Sequence, residues 1–106
     1  MRSPPAGEEL KRALRVIFVM FGAAVAVETL ASRPWASITF SGERHRIALC
    51  LPGPGAAAAA EIFLEGLAER DFALRGHILA DIALAERSDE DGQVRLILEA
   101  LTVEES

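Results

Sequence analysis

The sequence predicts an α+β fold in which a helix-strand-strand unit occurs twice, giving one antiparallel sheet of four or five strands with two helices on one face. Three observations carry this. Ala36-Ser37-Ile38-Thr39-Phe40, a turn and Arg46-Ile47-Ala48-Leu49 are echoed by Ala80-Asp81-Ile82-Ala83-Leu84, a longer turn and Arg95-Leu96-Ile97-Leu98. Each prospective hairpin follows a segment with apolar residues at helical spacing. Between the halves lies Pro52-Gly53-Pro54-Gly55, a sharp corner too short to link independent domains. Residues 8–106 are therefore expected to form a single domain with the pseudo-repeat 8–51 and 56–103, behind a disordered lead-in over 1–7.

From Glu8 onward, Leu10, Ala13, Leu14, Ile17, Phe18 and Phe21 fall on one helical stripe, with Glu9, Lys11, Arg12 and Arg15 on the other side and Gly22 as a natural stop. The second half of this helix is ambiguous, because residues 16–21 are rich in side chains that tertiary context can draw into a sheet. Residues 23–30 read as extended, closed by Ser32-Arg33-Pro34. Residues 35–40 alternate, Ala36, Ile38 and Phe40 against Trp35, Ser37 and Thr39, and Ser41-Gly42-Glu43 supplies the turn. The return strand puts His45, Ile47, Leu49 and Leu51 on one face and Arg44, Arg46, Ala48 and Cys50 on the other. A second helix over 56–70 buries Ala60, Phe63, Leu64 and Leu67 and carries Glu61, Glu65 and Glu69 as an acidic ridge. The third strand, 75–86, divides into Ile78, Ala80, Ile82 and Leu84 against His77, Leu79, Asp81 and Ala83. An acidic turn from Ser88 to Gly92 leads to a last strand over 93–103, with Val94, Leu96, Leu98 and Ala100 inward, and a solvated end at 104–106. This order of elements is a circular permutation of the ferredoxin-like order, an analogy of fold that says little about function.

A chain of 106 residues buries enough surface to fold without a disulfide or metal, and 51% apolar against 25% charged residues is the balance of a globular protein rather than a disordered one. Its net charge of −5 repels phosphate backbones, so nucleic acid is not an expected partner. The lone Cys50, among aliphatic neighbours, reads as a core residue rather than a nucleophile and suits a reducing cytoplasm. Residues 16–27 carry no charge but fall short of the roughly 20 residues a membrane span needs. Lys11, Arg12 and Arg15 ahead of that run, with Ala24-Val25-Ala26 in it, resemble an export signal, and Glu8 and Glu9 argue against one. The expected location is the cytoplasm, with no membrane contact; the Ala, Gly and Arg content points to a bacterial source.

Candidate chemistry is sparse. His77 and Asp81 share a strand face but stand about 13 Å apart along it, too far for a direct hydrogen bond or a shared metal. An enzyme would need these and His45 to meet partners from neighbouring strands. Ser88 to Gly92 lacks the spacing of a calcium loop and Pro52 to Gly55 lacks the lysine of a phosphate loop, so no metal and no cofactor is expected. Arg44, Arg46 and Arg95, with Asp81 and Glu99, form either a cross-strand lattice of ion pairs or, with Trp35 and His77, a site for a small anion or nucleic acid.

The outer sheet face is expected to hold Trp35, Leu79, Ile97, Leu101 and Val103, more apolar than an exposed face should be, and such patches mark interfaces. The expected function is a non-catalytic homodimeric interaction or regulatory module, open to a further protein partner. The alternatives are a binder of small anions or nucleic acid on the arginine-bearing face, and a small enzyme with a histidine/aspartate site.

Overall fold

The computed structural model describes residues 4–105 as α1 (Ala6–Met20), β1 (Ala26–Ala36), β2 (Ser41–Leu51), α2 (Ala56–Glu65), a 3-10 turn (Leu67–Glu69), β3 (His77–Glu90) and β4 (Gln93–Glu104). The four strands form one antiparallel sheet in the order β1-β2-β4-β3. The α+β class, the antiparallel sheet and the two helices are as the sequence predicts.

α1 begins at Ala6, two residues before the expected start, because the Pro5 carbonyl accepts the Glu9 N–H at 3.1 Å and Pro5 presets the entry. Residues 1–3 of the expected lead-in, and Ser106 of the expected solvated end, lie outside the described residues. The ambiguous second half of α1 is helical through Met20. Phe18 stacks on Phe63 of α2 with ring centroids 4.9 Å apart, which holds the segment above the sheet instead of in it. Gly22 ends the helix at φ +68°, its N–H on the Val19 carbonyl and the Ala23 N–H on that of Phe18, both at 3.0 Å.

The first hairpin turns at Ser37–Phe40, not at Ser41-Gly42-Glu43. Ser37 closes that loop from both its backbone and its side chain, donating N–H to the Phe40 carbonyl at 2.7 Å and accepting the Phe40 N–H on Oγ at 3.0 Å. Ile38 and Phe40, whose alternation suggests a strand, are therefore bare at the tip, 107% and 58% exposed. β1 runs through Ser32-Arg33-Pro34 instead of ending there; it is an edge strand, where a proline without an N–H costs no ladder bond. In the second hairpin the acidic residues up to Glu90 belong to β3. The turn is Asp91-Gly92 alone, with φ +52° and +75°, the left-handed pair that a two-residue hairpin requires.

α2 stops at Glu65, short of the expected Arg70, because Gly66 interrupts it and a 3-10 turn follows. The acidic ridge is broken there, and Glu61 is taken up by Arg87 of β3 at 2.6 Å. Leu10, Leu14 and Phe18 of α1 and Ala60 and Phe63 of α2 are buried against Ile47, Leu49 and Leu51 of β2 and Val94, Leu96, Leu98 and Ala100 of β4. Each fully buried side chain of the larger kind contributes about 1.5–3 kcal/mol.

Three β-bulges rearrange the outer strands. Extra residues at Leu30 in β1 and at Ala80 and Ala85 in β3 each shift the pairing by one and so exchange the faces beyond them. Leu79 lies opposite Thr102 on the helix-covered face and packs on the core, whereas Asp81 lies opposite Leu101 on the outer face. The strict alternation expected for β3, and Leu79 as an outer-face residue, are thereby corrected. Among the described residues no helix is long and apolar enough to cross a membrane.

Candidate functional site

Residues directly opposite in an antiparallel ladder share a face, so the pairing lays out the uncovered side of the sheet as rows across β1, β2, β4 and β3. The first row, nearest the β1–β2 tip, is Trp35, Gly42, Val103, Ile78. The second is Arg33, Arg44, Leu101, Asp81, and the third is Ala31, Arg46, Glu99, Ala83. Glu28, Ala48, Ile97, Glu86 and then Ala26, Cys50, Arg95, Ser88 follow.

Arg46 donates to Glu99 at 2.8 Å and to Glu86 on the far strand, so its side chain spans the sheet. Ala48 and Ile97, in the adjoining row with Glu86, are 1% and 3% exposed, though they face outward. Arg46 thus behaves as the ion-pair lattice anticipates, and Ile97 belongs to no open patch. Arg95 stands three rows from Arg44, beside the half-buried free thiol of Cys50, so the three predicted arginines do not converge. What remains of the predicted apolar set is Trp35, Leu101 and Val103, and the structure adds Ile78, 53% exposed. This strip adjoins the bare tip of Ile38 and Phe40.

Two residues of the rows escape a reading of the sequence. Arg33 belongs to a segment that Pro34 disguises as a strand end, yet it lies directly opposite Arg44, and neither forms an ion pair among the described residues. Like charges so placed repel. Gly42 leaves bare backbone beside Trp35, because β2 and β4 approach too closely for a side chain: a Cβ there would overlap the Thr102 carbonyl oxygen and stand 3.0 Å from the Val103 Cα. The Trp35 indole N–H is buried without a hydrogen-bond partner among the described residues.

The histidines belong to the inner side of the sheet, although His77 shares a cleft at the sheet's end with Trp35. His45 is 2% exposed on the inner side, with Nδ1 3.0 Å from Ser32 Oγ and Nε2 2.9 Å from Thr102 Oγ1. Thr102 Oγ1 donates onward to the Glu43 carbonyl at 3.4 Å, which makes Nε2–H the donor to Thr102 and leaves Nδ1 to accept from Ser32. Burial pushes the ring below its ordinary pKa of 6.5, against the pull of the Glu43 carboxylate 3.8 Å away. His77 donates Nε2–H to the Pro4 carbonyl at 2.9 Å beside the start of α1. It lines an open cleft of about 810 Å³ with Pro4, Pro5, Glu43, Glu104 and Trp35, from which both His45 and Asp81 are absent. The bulge at Ala80 puts His77 and Asp81 on opposite faces, so the histidine/aspartate site of the enzyme alternative does not assemble. Among the described residues no three His, Cys, Asp or Glu side chains gather as a cation would need. Neither a protein-family model nor a curated protein matches the chain.

Proposed function

We propose that the chain is a non-catalytic homodimeric interaction module, a single domain that associates through the uncovered face of its sheet. One observation carries this reading: both helices cover one face, while the other holds the strip of Trp35, Leu101, Val103 and Ile78 running into the exposed tip of Ile38 and Phe40. Pairing along the sheet edges is disfavoured. β1 carries Pro34 and a bulge, and β3 carries two bulges, the devices that blunt an edge. Stacking by faces is left as the route to a dimer.

The strand order and the central ladder also support duplication of an αββ unit in a permuted ferredoxin-like arrangement. Ile47 pairs with Leu98 and Leu49 with Leu96, so residues equivalent in the two units exchange places across the pseudo-axis between β2 and β4. The test is solution mass by light scattering behind size exclusion, over about a tenfold range of concentration. A mass of two chains that falls on dilution is the expected result. A single-chain mass throughout would end the reading and leave Arg33, Arg44 and Trp35 as a site for a small anion, to be tried with inorganic phosphate.

A further inference from the structure

The outer face has a polarity that selects how two copies would meet. Its second row runs from Arg33 and Arg44 on the β1–β2 side through Leu101 to Asp81 on β3. Its first row runs from the bulky Trp35 and bare Gly42 to Val103 and Ile78. Two faces can be brought together about a twofold axis lying between them, either along the strands or across them. An axis across the strands sets β1 against β1 and reverses the order of the rows; centred on the second row, beside the apolar strip, it brings Arg33 of each copy onto the other, a like-charge contact that costs several kcal/mol when desolvated. An axis along the strands, between β2 and β4, exchanges β1 with β3 and β2 with β4 within each row.

We infer that the protein dimerises about this strand-parallel axis, so that the partner for the outer face is a second copy held by reciprocal Arg33–Asp81 contacts. The inference rests on the homodimer reading and adds its geometry. Under that axis Arg33 of one copy faces Asp81 of the other, a counter-charge that offsets its juxtaposition with Arg44, which itself faces Leu101 of the second copy. Trp35 meets Ile78 of the second copy, and Val103 meets the bare backbone at Gly42. Aligned sheets cross at about 30°, so the contacts hold best when the crossing centres on the Arg33–Asp81 row. The area suffices. Four strands about 4.8 Å apart and about 36 Å long present about 700 Å² per copy, or about 1,400 Å² in total, within the range of stable interfaces.

The experiment uses two variants, Arg33→Glu and Asp81→Arg, each changing one exposed side chain and each checked for native circular dichroism. Alone, each places like charges across both symmetric contacts, and its dimer is expected to weaken by at least about tenfold. Mixed in equal amounts, the two restore both contacts with opposite signs, and a heterodimer of near-wild-type affinity is expected by light scattering. Dimers of either variant as tight as wild type would overturn the strand-parallel geometry while leaving the dimer itself intact. So would a mixture that stays monomeric. A wild-type chain that is monomeric throughout would remove the dimer reading and this inference with it.

Discussion

Glu9 is 1% exposed, and its carboxylate accepts the Arg75 backbone N–H at 2.7 Å, Arg75 Nη2 at 2.8 Å and Arg12 Nη2 at 3.2 Å. The Arg75 side chain and backbone N–H lower its pKa from 4.5 to about 2 despite burial. A carboxylate held lower in the fold than in the unfolded chain stabilises fully above pH 4.5, and that stability is lost as pH falls towards 2. His45 acts earlier. Its folded pKa lies below the ordinary 6.5, so the unfolded chain takes up the proton more readily and stability declines as pH drops below 6.5. Unfolding in urea between pH 8 and 2 should therefore weaken in two stages, with His45→Gln flattening the first and Glu9→Gln the second; a wild-type profile flat from pH 7 to 5 would contradict the His45 account. Neither role is legible in the sequence. Glu9 stands at a position that helical periodicity assigns to solvent, and its partner is 66 residues away. Trp35, by contrast, keeps the outer face that its alternation predicts, although the hairpin that carries it turns at Ser37–Phe40 and pairs it with Gly42.

At the scale of elements, the central strands follow their alternation closely: the inward sets of β2 and β4 are buried as expected, because each is flanked by a strand on both sides and carries no bulge. The edge strands do not. Leu30, Ala80 and Ala85 are extra residues without a compositional mark, and each turns a correct period into a wrong face on one side of it, which is how His77, Ile78 and Leu79 change sides while Asp81 keeps the outer face expected of it. The first turn is misplaced for a different reason: Gly42 looks like a turn glycine, but the demand on it comes from the backbone of β4. A methyl at Gly42 meets the Thr102 carbonyl, and backbone cannot move aside as a flexible side chain can. Gly42→Ala is expected to cost about 1–3 kcal/mol or more in chemical denaturation, as overpacking does. An unchanged midpoint would show that β2 and β4 are not so closely apposed.

For the whole molecule, the radius of gyration is 14.1 Å, above the roughly 13 Å of a compact chain of this length, and the long axis is 46 Å. The extension comes from hairpins that outrun the helices: α1 is about 22 Å long and α2 about 15 Å. A broad sheet is thus covered on one side only. That one-sidedness is visible in the sequence as an outer face too apolar for solvent, and so is Asp81 on that face, but the polarity of the face is not, because Arg33 is hidden behind Pro34. The most direct test of association through this face uses the single tryptophan. Emission of Trp35 is recorded alongside mass on one dilution series of the wild-type chain. Association through the outer face predicts that the emission maximum moves to longer wavelength over the same concentrations at which the mass halves. A mass that halves while Trp35 emission stays fixed would place the interface elsewhere and contradict the account.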